Sequence, residues 1–439
     1  MKTKYAIVFI CFVALVIIEK EINIISRVSD RLIKRQSPHQ TPQTPQDESN
    51  ITQKHLLTVL KVLPSKRPAS QGNRTNFSEE QDEELDDSDM YSYSGGRKHV
   101  LLMASTRTGS SFVGEFFNQH GENMFYLFEP LWHVERMLAT AANNATGLGW
   151  IYRDVLQALF LCDFSPLEKF ISPPPNNHVT PALFRRESSL SLCDEPVCSP
   201  VNKDVIERYH CKIRRCGPLN LTLATQSCLS KQHHTIKTVR VRQLDTLQSL
   251  VQDPRLDVRI IQLVRDPRAI LASRMVAFSS QYKTWKAWAQ GGQVPENDEE
   301  VKRLKGNCDQ VRISAEMGLS QPDWLRRRYM LVRYEDIARY PMEKAEEMYK
   351  FAGIPFSFQA REWILTNTQT TKEASGIYST QKNSSQQAEK WRFSIPFTLA
   401  QVVQKVCGPT MKLFGYKFVD DERTLINKSI SLLEDKSFY

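Results

Sequence analysis

The stretch Arg265-Asp-Pro-Arg-Ala-Ile-Leu-Ala-Ser273 decides the fold when it is read with Ser105-Thr-Arg-Thr-Gly-Ser-Ser111, which lies about 160 residues earlier. Each run directly follows a short apolar stretch, Val258–Val264 or His99–Ala104, and continues into a pattern that can be helical. A loop that joins a buried strand to a helix leaves the first helix amides without intrahelical partners, and these amides attract anions. The sequence therefore predicts two phosphate cradles, which suit a ligand with two anionic groups at separate ends.

The residue types of the first loop fit phosphate or sulfate oxygens. Gly109 allows a close backbone approach, and Arg107 offers a planar fork of donors. Hydroxyl donors come from Thr108, Ser110 and Ser111. The loop has no Gly-Lys-Ser/Thr ending, so it is not a Walker A sequence, and an ATPase or ordinary kinase is disfavoured.

Both runs resemble motifs of the Golgi carbohydrate sulfotransferases that act on the 6-hydroxyl of galactose, N-acetylgalactosamine or N-acetylglucosamine. The first resembles the 5′-phosphosulfate loop of that family, and the second resembles its 3′-phosphate motif. The likeness covers the membrane-proximal segment and nearly everything from Arg97 to Tyr439. It includes the runs Lys20–Asp30, Ser111–Asn118, Phe125–Trp132 and Gly376–Ser385.

This resemblance implies 3′-phosphoadenylyl sulfate as the sulfate donor. Arg107 is then expected to stabilise charge on the bridging oxygen, while Arg265 and Ser273 clamp the 3′-phosphate. A sulfuryl group carries less charge than a phosphoryl group, so no metal is expected. The residues expected to bind the donor are Ser105, Thr106, Arg107, Thr108, Gly109, Ser110, Ser111, Arg265, Asp266, Pro267, Arg268, Ala269, Ile270, Leu271, Ala272 and Ser273.

An acceptor hydroxyl loses a proton as it attacks, and Glu129 is the predicted general base. It ends the apolar run Met124–Phe128, at the same sheet edge as the first loop, and His133 is held in reserve. A salt-bridging role for Glu129 and a packed histidine at position 133 remain alternatives. An ion pair with Asp266 or Glu335 is the alternative for Arg265.

Two further groups of residues are weaker candidates. A late basic and aromatic cluster is predicted to stack on adenine and close over the 3′-phosphate, or simply to pack a surface loop. Its members are Lys382, Ser384, Lys390, Trp391 and Arg392. Three basic residues are candidates for a groove that binds uronate carboxylates, namely Lys237, Arg240 and Arg242.

Strand and helix patterns alternate along the chain from residue 100 onward. Strands are predicted at 100–104, 124–128, 235–241, 258–264 and 329–334, with helices at 110–118, 150–160 and 343–353. This alternation predicts a three-layer α/β fold with a mainly parallel sheet. Ligands of such folds bind at the carboxyl ends of the strands, where both loops and Glu129 fall.

The first 97 residues are expected to lie outside this domain. Tyr5–Ile18 is uninterrupted apolar and follows two lysines, which predicts a cytosolic tail at 1–4 and an uncleaved signal anchor at 5–25. A cleaved signal peptide is the alternative. Residues 26–97 read as a polar stem, and 98–439 as the sulfotransferase domain, facing the Golgi lumen.

Charge and cysteine content agree with a lumenal domain that binds polyanions. Residues 1–97 are neutral, with 13 basic and 13 acidic side chains, so the net charge of +9 lies in the remainder. Eight cysteines follow the anchor and predict up to four disulfides, with pairing left open and a zinc site as the lesser alternative. Seven Asn-x-Ser/Thr triplets also follow it.

Three functions compete. The resemblance favours sulfation of carbon 6 of N-acetylgalactosamine in chondroitin, with glycosaminoglycan chains and the Golgi membrane as partners and no nucleic acid. The same chemistry on galactose of keratan or lactosamine comes second. A catalytically silent glycan-binding protein is the third, and it would be expected to lose Arg107, Glu129 or Arg265, all of which this chain keeps. The oligomeric state is left open.

Overall fold

The computed structural model describes residues 96–141, 148–168, 183–198, 211, 216, 219–368 and 384–438. The predicted tail and anchor, nearly all of the predicted stem, Lys382, and five of the triplet asparagines lie outside these ranges. Those asparagines are Asn50, Asn73, Asn76, Asn144 and Asn383. Within the described ranges, no helix has the length and apolar character needed to cross a bilayer.

A five-stranded, entirely parallel sheet forms the centre of the described domain, in the order β2-β3-β1-β4-β5. The strands are β1 Lys98–Ala104, β2 Met124–Phe128, β3 His233–Thr238, β4 Val258–Val264 and β5 Tyr329–Arg333. Because all five strands run the same way, their carboxyl ends meet at one edge of the sheet.

Helices cover both faces of the sheet, as the α/β prediction requires. The helices are α1 Ser110–Asn118, α2 Trp132–Ala141, α3 Leu148–Phe160, α4 Ser165–Glu168, α5 Leu221–Ser230, α6 Gln248–Val251, α7 Pro267–Ala277, α8 Lys283–Ala289, α9 Glu299–Leu319, α10 Tyr334–Arg339, α11 Pro341–Ala352, α12 Phe358–Thr368, α13 Ser384–Glu389, α14 Phe397–Leu413 and α15 Glu422–Ile426. On one face, Phe116 of α1 and Tyr349 of α11 share a buried cluster with Leu102 and Ile261. On the other face, Gln262 of β4 donates to the Val311 carbonyl of α9 at 3.2 Å.

β2 and β4 have the predicted bounds, and β1 begins two residues before the prediction, at Lys98, whereas β3 and β5 differ at their ends. β3 begins at His233 and ends at Thr238, whereas 235–241 was predicted, because Val239 and Val241 continue the apolar alternation beyond the hydrogen-bonded ladder. β5 ends at Arg333, and Tyr334 starts a helix. Both differences arise because the apolar pattern reports burial and not strand pairing.

All eight cysteines after the predicted anchor form disulfides, as expected for an oxidising compartment. The pairs are Cys162–Cys228, Cys193–Cys211, Cys198–Cys216 and Cys308–Cys407. The alternative of a zinc site at the Cys193, Cys198, Cys211 and Cys216 group is therefore wrong for these sulfurs, which are bonded to one another.

Candidate active site

A cleft of about 550 Å³ opens at the carboxyl edge of the sheet and brings the two predicted loops together. It is lined from the first loop by Thr106, Arg107, Gly109, Ser110 and Ser111, and from the second by Arg265, Ala269, Ala272 and Ser273. Glu129 lines the same cleft. β1 and β4 are neighbours in the sheet, which is why loops 160 residues apart in sequence share one cavity.

The two loops are bonded directly to each other. Arg107 Nε donates to Ser273 Oγ at 2.9 Å, and Arg265 Nη1 donates to the Arg107 carbonyl at 3.2 Å. Arg107 itself has a φ of 74°, a left-handed backbone conformation that is uncommon outside glycine. The arginine predicted for the sulfuryl group and the serine predicted for the 3′-phosphate therefore form one polar unit.

Not all residues of the predicted runs reach the cleft. Thr108 is buried, and its hydroxyl donates to the Ser105 carbonyl at 2.8 Å, so it braces the loop where the sequence predicted an anion donor. Asp266 caps α7 and pairs with Arg268, and both are buried. The others outside the cleft lining are Ser105, Pro267 and Ile270, which line an adjoining cavity of about 90 Å³, and Leu271, which is buried.

Tyr334, which the sequence did not single out, lies between the two loops. A Cβ on Gly109 would fall 2.3 Å from the Tyr334 ring, which explains why the loop needs glycine at this position, where φ is 92°. The Arg265 guanidinium lies over the same ring, 4.4 Å from its centroid. The ring thus fixes the spacing between the loop of Gly109 and the cation of Arg265.

Glu335 is a buried residue that contacts the second loop. Its buried carboxylate accepts the Asp266 amide at 3.0 Å and the Tyr416 hydroxyl at 2.9 Å. Burial raises the pKa of Glu335, an effect that the charge of Arg265 partly offsets. The predicted alternative of Arg265 ion-paired with Asp266 or Glu335 is not what the structure has: Asp266 pairs with Arg268, and Arg265 stacks on Tyr334.

Glu129 lies at the centre of a charged cluster on the opposite wall of the cleft. One carboxylate oxygen contacts Lys237 Nζ at 2.5 Å, and the other contacts the guanidinium of Arg240, which also pairs with Glu135. Lys237 is only 1% exposed, and Glu129 has a φ of 49°. Both carboxylate oxygens are thus held by cations in the wall of the cleft. Glu129 therefore forms the salt bridges of the alternative interpretation and also lies in the cleft, as the general-base prediction requires.

The remaining candidates separate into cleft and core. Lys390 and Trp391 line the cleft, and Trp391 stacks on Arg268 at 4.8 Å. Arg392 is 1% exposed and donates to carbonyls of Leu425 and Asn427, so its predicted role over the 3′-phosphate is wrong. Two others miss the cleft: His133 is buried against Trp132, and Arg242 lines the adjoining cavity.

Comparison with known proteins agrees with this geometry. Residues 97–415 match the model of the sulfotransferase domain. The chain is 54% identical to carbohydrate sulfotransferase 3 of Mus musculus, over 99% of this chain and 94% of that protein. It is 51% identical to carbohydrate sulfotransferase 3 of Tetronarce californica, over 100% and 99% of the two chains. Carbohydrate sulfotransferase 1 of Mus musculus is 45% identical over 79% of this chain and 86% of that protein.

The match to the domain model spans both loops, Glu129 and all five strands of the sheet. Relatives more than half identical over nearly the whole chain add that the acceptor class is carbohydrate. With the cleft, the two loops and the parallel sheet, these similarities show that the chain belongs to the carbohydrate sulfotransferases of the sulfotransferase family.

Proposed function

We propose that this enzyme transfers the sulfuryl group of 3′-phosphoadenylyl sulfate to the carbon 6 hydroxyl of N-acetylgalactosamine in chondroitin. The observation that carries the donor assignment is the convergence of two strand–loop–helix junctions on one cleft, joined by the Arg107–Ser273 hydrogen bond. The acceptor assignment rests on the similarity to carbohydrate sulfotransferase 3 and on the family resemblance.

In this proposal the 5′-phosphosulfate lies over the first loop. The amides at the start of α1 and the hydroxyls of Ser110 and Ser111 face an anion there. Arg107 exchanges its bond to Ser273 for the bridging oxygen, on which charge builds as the sulfur–oxygen bond breaks. Ser273 is then released toward the 3′-phosphate, beside Arg265.

Proton transfer is assigned to Glu129. The acceptor oxygen attacks sulfur, a new oxygen–sulfur bond forms, the bond to the bridging oxygen breaks, and the hydroxyl proton passes to the carboxylate. Lys237 and Arg240 hold that carboxylate in the cleft wall. Arg240 also pairs with Glu135, which is more exposed than Glu129. Both loops stabilise the charge on the donor product until it dissociates.

We also propose that the domain faces the Golgi lumen, tethered by an uncleaved anchor at 5–25. The four disulfides support an oxidising compartment. The exposed Asn220 and Asn427 each begin an accessible Asn-x-Ser/Thr triplet and support exposure to the glycosylation machinery. An intact N-terminus and glycans at these asparagines are expected by mass spectrometry, whereas free thiols throughout the domain would contradict the proposal.

The acceptor is tested directly with the secreted domain and sulfur-labelled donor. Chondroitin, keratan and heparan chains are offered separately, and the labelled disaccharides are analysed for the position of sulfate. Label on carbon 6 of N-acetylgalactosamine is expected. Label mainly on galactose of keratan would replace the acceptor assignment and leave the donor assignment standing, whereas no transfer to any chain would indicate a silent glycan-binding protein.

A further inference from the structure

A shallow surface trough adjoins the cleft where α7 ends. Phe278 lines both, so the trough borders the cleft at this residue. The polar side chains that line the trough are Ser279, Ser280, Gln281, Lys283, Lys286 and Gln290, and no carboxylate is among the lining residues. The trough therefore presents hydroxyl, amide and ammonium groups beside the cleft.

The base of the trough is a rigid helix. Trp285 and Trp288 of α8 are both buried, with ring centroids 5.0 Å apart, and Trp285 Nε1 donates to Glu300 at 3.3 Å. Lys283 and Lys286 are one turn apart on this helix, so their side chains are neighbours. Two cations are thus presented together from an anchored element.

The charge of these two lysines is not neutralised by carboxylates within the described residues. Lys286 Nζ donates to Ser279 Oγ at 2.6 Å, and Lys283 has no ion pair there. Lys302 and Lys305 of α9 contrast with them, since they pair with Glu299 and Asp309. Uncompensated positive charge beside a cleft attracts an anionic ligand.

We propose that this trough binds the acceptor chain, with Lys283 and Lys286 contacting the carboxylate of a uronic acid next to the sugar that is sulfated. The inference rests on the proposed function and extends it to a second subsite. Ammonium groups on flexible stems suit carboxylates on a polymer that can bind in several registers. Serine hydroxyls and glutamine amides offer donors and acceptors for sugar hydroxyls.

The test compares the double variant Lys283→Gln/Lys286→Gln with a control that removes the same charge elsewhere, Lys302→Gln/Lys305→Gln. In the trough variant, KM for chondroitin is expected to rise about 3- to 30-fold, and its dependence on salt to weaken. KM for the donor should stay unchanged. If the enzyme also sulfates keratan, which has no uronate, its rate with keratan should stay unchanged as well. The control should match the parent in every assay.

Calorimetric binding of unsulfated chondroitin to the same proteins separates this inference from the proposed acceptor. Weaker binding by the trough variant alone supports the subsite even if another chain is the one sulfated. Binding and KM equal to those of the parent overturn the subsite, whichever acceptor the enzyme uses. A parallel loss of donor binding would also overturn it, because the trough would then act on the cleft as a whole.

Discussion

The two ends of strands β1 and β3 bury polar side chains in different ways. At their amino ends, His99 pairs in register with His234, and His120 and His233 lie close by, all buried. At their carboxyl ends, Lys237 is equally buried but is paired with Glu129, next to the cleft. One end buries neutral rings, and the other buries charge that is balanced by opposite charge.

This difference agrees with the proposal that the carboxyl end carries the chemistry. Burial lowers the pKa of His99 to about 3 and those of His120, His233 and His234 to about 4, so all four are neutral at physiological pH. The carboxyl end instead presents charged side chains in the cleft, at Arg107, Arg265 and Glu129, where the proposed reaction would use them.

The largest expected effect is at the proposed base. Glu129→Gln keeps the shape of the side chain but cannot take up the acceptor proton, so turnover should fall about 10²–10⁴-fold. Binding of the donor product, measured by calorimetry, should stay near that of the parent. Near-normal turnover would pass the role to another group, and weakened product binding with normal turnover would make Glu129 an organiser of the loop.

The loop arginines come next. Arg107→Ala or Arg265→Ala removes a charge-assisted contact that is worth about 2–5 kcal/mol, a loss of roughly 30- to several thousand-fold in binding or rate. Arg326→Ala is the matched control, because this arginine is exposed and pairs only with an exposed aspartate among the described residues. Activity within twofold of the parent in either loop variant would refute the donor assignment.

A smaller effect is expected at Tyr334. Tyr334→Ala removes the ring under Arg265, and cation–π contacts of this kind are worth about 0.5–2 kcal/mol, so the donor KM should rise about 2- to 30-fold. Tyr334→Phe keeps the ring and should behave like the parent. Equal loss in both variants would show that the hydroxyl, and not the ring, matters.

The smallest effect tests the amino end. Because the folded pKa of each histidine lies below its value of about 6.5 in the unfolded chain, stability should be constant above pH 7 and fall as pH drops through 6. His99→Phe should make this acid loss shallower, by about one proton of uptake, without changing kcat. His99 suits the test because its ring is buried and packs edge-on against the rings of Phe160 and His234. An unchanged slope of the melting temperature against pH would contradict it.

The local features of the site could be predicted from sequence, but its long-range contacts could not. The bounds of β2, β4 and α1 follow from apolar runs that end at prolines, glycines or polar loops. Lys237 reaches Glu129 across 108 residues, because β3 inserts beside β2, and no local pattern reports that pairing.

Two residues show how burial overrides residue type. Arg392 reads as a phosphate ligand in sequence, yet backbone carbonyls far along the chain enclose it. The sequence predicts Tyr334 as the last residue of a strand. Its position under Arg265 depends on how the two loops meet in the folded protein. Charged and aromatic side chains near a site are therefore the least predictable, since their roles depend on which strands become neighbours.

Hydrogen exchange with and without 3′-phosphoadenosine 5′-phosphate tests most directly the claim that the carboxyl end alone holds the donor. Added product should slow exchange of the amides at 105–111 and 265–273 and leave the amino ends of β1 and β3 unchanged. Protection absent from both loops, or centred on His99 and His233–His234, would contradict the account.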